Sequence, residues 1–291
     1  ALLIDKPAGW TSHDVVARVR RVLNTRAVGH TGTLDPFATG LLVVLVGRAT
    51  RLARFVEQQA KTYLAGARLG FATTTDDVTG ERLEEGRGGG RPAGSAAPSR
   101  AELEAALRGF LGPQRQRPPA YSAKQVAGER SYAKARRGER VELADVDIVV
   151  HAIDLVAYDY PALEFRATVS AGTYVRAIGR DLGARLGTGA HLTALRREAI
   201  GSLGVEEAVA LERVTPDAVR APLEVLRHLD RIDVTADEAK ALGYGQALPD
   251  RPTAVPPDRP VAAVAEGDRL VAVGRVVEGR FRPEVVLEPA G

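Results

Sequence analysis

Neither cysteine nor methionine occurs among the 291 residues of the chain. Without thiols there is no disulfide, no thiolate nucleophile and no Cys-ligated metal. Histidine is sparse: His13, His30, His151, His191 and His228 are scattered, with none at HExxH or paired-ligand spacing, which argues against a metal site. Lysine is rare too, with five Lys against thirty-five Arg. That bias fits a GC-rich genome or a heat-adapted host, although arginine also suits phosphate forks and base stacking. No apolar run approaches the roughly 20 residues of a membrane span. The opening Ala1-Leu2-Leu3-Ile4-Asp5-Lys6-Pro7 lacks the basic-then-apolar layout of a signal peptide. It reads as the start of a folded strand; the missing initiator Met predicts a processed or trimmed end, and the expected location is the cytoplasm. No P-loop GxxxxGK[ST] is present, and no GxSxG elbow stands on a strand–helix turn.

What is present is ordinary in bulk: 45% apolar and 26% charged residues, as in soluble globular proteins. The length predicts one large domain with a small appendage. A net charge of +3 is too small to argue for nucleic acid, but its distribution is uneven. Eight basic residues and two acids lie between Gln114 and Arg140, so this segment carries +6 and the remainder −3. Tyr121 and Tyr132 are interleaved with the charges. Cations for phosphates beside aromatic faces for bases make an RNA-contacting element, or else a solvated charged surface.

The hydrophobic pattern predicts an α+β chain. Leu2-Leu3-Ile4 is extended, and Thr11 or Ser12 caps a helix whose apolar stripe is Val15, Val16, Val19, Val22 and Leu23. A Gly-rich loop precedes a buried strand, Leu41–Val46, ended by Gly47, and Tyr63–Leu69 alternates as a half-buried strand does. Gly86–Pro98 is low-complexity and reads as a flexible insertion. Ser99 and Glu102 form a capping box for a helix over Ala101–Leu111. Strands follow at Val146–Val156 and Leu163–Val169, then a helix with Ile178, Leu182 and Leu186 on one face, its first turn at Gly172-Thr173-Tyr174. Thr215-Pro216-Asp217 is expected to open a last helix of the main body. Beyond Leu229, a short helix (Ala236–Leu242), a Pro-rich loop (Pro249–Pro260) and three β-rich runs (Val261–Ala265, Leu270–Val277, Val285–Leu287) predict a separate small β domain.

Gly29, Gly32 and Gly40 bracket Asp35, and Pro36 stiffens the backbone after it. A carboxylate on such a loop serves as nucleophile, general base or metal ligand, the last weakly supported without partner ligands. Composition leaves two readings open here, a structural turn and a catalytic loop.

The run Gly29-His30-Thr31-Gly32-Thr33-Leu34-Asp35-Pro36-Phe37-Ala38-Thr39-Gly40, followed by Gly47-Arg48-Ala49-Thr50, resembles the active-site motif of bacterial tRNA pseudouridine-55 synthases, the TruB family. Four further segments resemble the family's motifs in order. They are Leu2–Pro7 with Gly9, Thr11 and Ser12; Lys61-Thr62-Tyr63 with Arg68–Gly70 and Thr75–Asp77; Pro118–Lys124; and Gly172–Arg176 with Gly189–Arg197.

The resemblance implies a pseudouridine synthase fold: a mixed, mainly antiparallel central sheet over residues 1–228 and a small PUA-like β-rich domain over 229–291. It implies isomerisation of a uridine in the tRNA T arm, position 55, with base flipping, no cofactor and no metal. By position Asp35 is the nucleophile, attacking C1′ of the sugar or C6 of the uracil. Tyr63 stacks on the uracil and removes a proton late, a role that for a phenol needs a lowered pKa or a concerted transfer. Arg176 pairs with Asp35 and keeps it ionised. Tyr174 and Leu195 line the base pocket, His30 contacts the T loop, Arg51 replaces a frequent Lys at a phosphate contact, and Tyr121 and Lys124 belong to the RNA-contacting segment 114–140. A monomer without an obligate protein partner or membrane is expected.

Two features fit the family less well. The insertion at Gly86–Pro98 is long, and residues 229–291, with eight basic and eleven acidic side chains, make a poor electrostatic RNA binder. A guide-dependent ribosomal-RNA synthase would need a larger basic C-terminal domain, whereas a non-catalytic tRNA-binding or folding protein would be expected to lack Asp35, Tyr63 or Arg176. An unrelated Asp-nucleophile hydrolase would have no need of the basic segment.

Overall fold

The computed structural model describes residues 1–84, 96–121, 125–126, 129–130, 143–249, 256 and 259–288. Lys124 and Tyr132, and most of the Gly86–Pro98 insertion, lie outside the described residues.

Strand β1 (Leu2–Lys6) leads into helix α1 (Ser12–Val22), which Thr11 caps in a reciprocal box with Asp14. Val15, Val16 and Val19 turn inward from it, as their helical spacing requires. Strands β2 (Val28–His30) and β3 (Thr39–Val46) flank the glycine-rich loop, and helix α2 (Ala53–Glu57) precedes β4 (Lys61–Leu69). Burial alternates along β4, and Tyr63 sits on its buried side. Helix α3 (Arg100–Arg108), capped by Ser99 with Glu102, leads into β5 (Gly112–Gln116). The short strands β6 (Gln125–Val126) and β7 (Glu129–Arg130) pair with each other. The long strands β8 (Val146–Asp159) and β9 (Ala162–Val169) come next, then helix α4 (Val175–Arg185) and β10 (Ala190–Ile200). Short strands β11 (Leu203–Gly204) and β12 (Val209–Ala210) complete the sheet.

Among the described residues, ten strands form one sheet in the order β12-β1-β3-β10-β4-β9-β8-β5, with β2 beside β3 and β11 beside β10. Only the β1–β12 and β3–β10 pairs are parallel, so the sheet is mixed and mainly antiparallel, as expected. The β3–β10 contact is close: at Gly40, φ +100°, an added Cβ would lie 2.3 Å from the Arg197 carbonyl oxygen. A side chain there would force the two strands apart. Helices α3 and α4 pack Leu103, Leu107, Ile178 and Leu182 against one face of the sheet.

One expectation is corrected. The helix opened by Pro216 is not continuous: two short 3-10 turns, Pro216–Ala218 and Pro222–Leu226, stand there instead. Pro222 has no amide hydrogen to propagate a helix across the gap. The C-terminal strands β13 (Asp230–Asp233), β14 (Val261–Ala265), β15 (Arg269–Val277) and β16 (Arg280–Val286) do form their own sheet, with helix α5 (Ala236–Gly243) on it. Its other face packs on the main body. Ala262, Val264, Leu270, Val273 and Val285 share one buried cluster with Leu41, Val43, Leu45, Ile200 and Leu226.

Candidate active site

The glycine-rich loop between β2 and β3 carries Asp35 to a cavity of about 640 Å3, inside the range of roughly 300–1,000 Å3 usual for small-molecule sites. Other elements besides that loop build its walls. Strands β4 and β10, paired with Tyr63 opposite Arg197, supply Tyr63, Leu195 and Arg197. The start of α4 supplies Tyr174 and Arg176, and the segment after β5 supplies Tyr121.

Local contacts fix the loop. The Leu34 amide donates to Ser12 Oγ (2.9 Å), and the Gly9 amide donates to the Pro36 carbonyl (2.8 Å). Lys6 is fully buried, and its ammonium donates to the carbonyls of Trp10 (2.7 Å), Pro7 (3.0 Å) and Pro36 (3.5 Å). Arg197 Nε donates to the Leu41 carbonyl (2.7 Å) and its Nη2 to the Gly32 carbonyl (3.1 Å). Two buried cations thus tie both sides of the Asp35 loop to the sheet.

Arg176 is the hub of the site. Its Nη2 donates to Asp35 Oδ1 (3.1 Å), while Nε comes within 2.8 Å of Oδ2 in an ion-pair contact whose N–H does not line up with the oxygen. Its Nη1 donates to the Thr75 carbonyl (2.9 Å) and lies 3.3 Å from Asp77 Oδ2. Nη2 also donates to the Tyr121 carbonyl (2.9 Å). The Arg176 side chain is 4% exposed and that of Asp77 5%, but Asp35 keeps 33% of its side chain accessible.

Burial pushes the Asp35 carboxyl above its ordinary range; Arg176 pulls it down, Asp77 adds to the rise, and Lys6 opposes it. The rise makes the carboxylate more basic, and the paired guanidinium favours the ionised form that attack requires. Lys61, also on the cavity wall, is pushed down to about 8, first by burial and then by Arg197, with Glu57 opposing. Its ammonium donates to the Gln59 carbonyl (2.7 Å) and to that of Glu57, at the end of α2.

Of the residues singled out in the sequence, Asp35, Tyr63, Arg176, Tyr174, Leu195 and Tyr121 converge on this cavity. His30 does not line it. It ends β2 edge-on to His13 (ring centres 6.4 Å apart) and accepts from the Gly32 amide (3.3 Å); burial, His13 and Arg197 lower its pKa. Arg51 also points elsewhere: it lies in the 3-10 turn after β3, and its Nη1 donates to the Val286 carbonyl of the C-terminal sheet (2.7 Å). Asp77, Gln116 and Lys61 were given no role by sequence reasoning. Asp77 and Lys61 fall inside recognised motifs, yet only the fold brings them to Arg176 and the cavity. Gln116 carried no local signal: its side-chain amide makes two hydrogen bonds with the Tyr174 backbone, accepting from N (2.9 Å) and donating to O (3.1 Å).

A family model described as TruB family pseudouridylate synthase (N terminal domain) matches residues 20–175. A tRNA pseudouridine synthase B of Leifsonia xyli is 44% identical, over 94% of this chain and 91% of that protein. One from Thermobifida fusca is 43% identical over 98% and 97%. The fold is also that of the solved Cbf5-Nop10-Gar1 complex, with a TM-score of 0.76 at 24% identity, over 99% of this chain and 84% of the matched one. With its fold, its motif order and near-full-length relatives in agreement, the chain belongs to the TruB family of pseudouridylate synthases.

Proposed function

We propose that the protein isomerises a uridine of tRNA to pseudouridine, that the uridine is the one at position 55 in the T arm, and that Asp35 is the nucleophile. The observation that carries this reading is the Asp35–Arg176 pair on the wall of a nucleotide-sized cavity, its cation buried and its carboxylate accessible. The reaction breaks the N1–C1′ bond and forms C5–C1′; C5 gives up its proton and N1 takes one up, so atoms balance without a co-reactant. A covalent link from Asp35, at C1′ or at C6, holds one fragment while the base turns.

Tyr63 and Leu195 flank the carboxylate on adjacent strands, where an aromatic face and an aliphatic edge can hold a base withdrawn from its stack. Tyr63 is the proposed acceptor of the departing proton. The sequence supports an RNA ligand independently, because the segment from Gln114 to Arg140 carries a charge of +6. The guide-dependent alternative has only fold likeness behind it.

The test is release of tritium from C5-labelled uridine in a T-arm stem-loop transcript and in full-length tRNA. The wild type is expected to release label stoichiometrically with pseudouridine, and Asp35→Asn to release none. A wild type without release defeats the isomerase reading, whereas full activity in Asp35→Asn removes the nucleophile assignment alone.

A further inference from the structure

Helix α4 presents two arginines one turn apart, Arg176 and Arg180, on the same face. Both grip the same two segments. Arg176 holds the Thr75 carbonyl, the Asp77 carboxylate and the Tyr121 carbonyl. Arg180 holds the Asp76 carboxylate through Nη1 (3.1 Å) and the Arg117 carbonyl through Nη2 (2.9 Å), with its Nε donating to Asp181 (2.8 Å). Like charges at this helical spacing repel, and consecutive carboxylates, one per guanidinium, meet them. Asp76 has φ +62°, a left-handed conformation that aspartate tolerates better than most residues and that lets neighbouring side chains face one helix.

The gripped segment needs an external hold. It leaves the sheet after Gln116, and Pro118 and Pro119, both buried, have no amide hydrogen with which to pair. Its backbone carbonyls remain as handles, and guanidinium groups take them at both ends, Arg117 and Tyr121. The Arg117 side chain points away, towards Asp145 (3.5 Å). Arg180 itself does not line the cavity.

Building on the isomerase reading above, we propose that Arg180 is a positioning residue: it holds the 117–121 segment against the cavity and thereby sets Tyr121 and the Arg176 guanidinium for reaction at Asp35. Its effect is on the chemical step. Overall tRNA affinity, spread over a much larger surface, does not depend on it.

The test compares wild type, Arg180→Gln, and Arg180→Gln combined with Asp76→Asn, in which the more buried carboxylate no longer faces a missing cation and only the more exposed Asp181 does, should the single variant fold poorly. Single-turnover pseudouridine formation at saturating enzyme is expected to slow at least tenfold in both variants, with the Kd for tRNA within twofold of wild type. A rate within twofold of wild type in the double variant, or a loss confined to Kd, overturns the proposal.

A second readout does not depend on the chemistry. The chain has no cysteine, so Ala120→Cys introduces a unique thiol in the segment. Its labelling by a soluble thiol reagent is expected to be several-fold faster when Arg180 is replaced; equal labelling overturns the proposal. If the wild type forms no pseudouridine, the isomerase reading fails, and the labelling arm still decides whether Arg180 holds the segment.

Discussion

Arg176 reaches both carboxylate oxygens of Asp35, at 2.8 and 3.1 Å, from a side chain that is almost completely buried while its partner stays open to the cavity. That asymmetry suits a nucleophile. The counter-ion is shielded from water and fixed by three further acceptors, so Asp35 is oriented without being covered.

Replacing Arg176 therefore has two separable effects. Arg176→Met leaves Asp77 buried without its cation, and loss of one member of a buried pair costs about 3–5 kcal/mol. Arg176→Lys restores the charge but cannot reproduce a planar fork that serves Asp35, Asp77 and two carbonyls at once. Urea denaturation is expected to show the Lys variant recovering part of the stability. Its rate of pseudouridine formation should remain at least 100-fold below wild type. A Lys variant with near wild-type rate would mean that charge alone suffices.

How much of this was legible in the sequence depended on the range of the interaction. The caps at Thr11 and Ser99, the alternation of β4 and the buried run of β3 are local patterns, and they appear where propensity and periodicity place them. Asp35 was visible as a carboxylate among glycines, but composition could not separate a turn from a catalytic loop. The decisive partner, Arg176, is 141 positions away and was supplied by family resemblance. Gln116 meets Tyr174, and Arg180 meets Arg117, at backbone atoms, which leave no side-chain pattern to read. For Arg51 a motif position suggested a phosphate contact, and the fold directs its guanidinium to the Val286 carbonyl of the C-terminal sheet.

Gly40 and Gly47 give a contrast in backbone chemistry. Both have positive φ, but a Cβ at Gly40 would strike the Arg197 backbone at 2.3 Å, and at Gly47 it meets nothing within 4 Å. Gly47→Ala is expected to cost about 1 kcal/mol, the left-handed penalty alone. Gly40→Ala must in addition push β3 from β10, and overpacking of this kind adds about 1–3 kcal/mol. Equal midpoints of thermal unfolding for the two variants would show that the β3–β10 contact yields freely.

Asp76 makes a pH-dependent contribution. Burial raises its carboxyl from 3.8 to about 6, against the opposing pull of Arg180 and Arg176. The folded protein therefore holds this proton more tightly than the unfolded chain does. Raising the pH from about 4 to 6 strips the proton at a cost to the folded state, so the contribution is favourable at the acid end and is lost as pH rises through the folded value. Relative to Asp76→Asn, which carries no such proton, the wild type is expected to lose up to roughly 3 kcal/mol of stability across that interval. Parallel stability curves for the two proteins between pH 4 and 7 would show that the carboxyl titrates normally.

The C-terminal sheet bears on the catalytic sheet through a shared core, and this sets an expectation for truncation. Removing residues 229–291 would expose Leu41, Val43, Leu45 and Leu226, which now share a cluster with Val264, Leu270 and Val273. It would also strip the partners of Arg48 and Arg51, which donate to the Leu287 and Val286 carbonyls, and of Arg54, which pairs with Glu284. An exposed contiguous apolar patch of this kind drives association. We propose that the division near residue 229 is one of sheets sharing a core, and that a 1–228 fragment is aggregated or strongly destabilised rather than an independent enzyme. Val264→Asp in the full chain places a charge in the shared cluster and is expected to lower the unfolding midpoint of the whole protein in a single transition. Two resolved transitions in calorimetry, with the upper one unchanged, would instead establish that the catalytic sheet folds on its own.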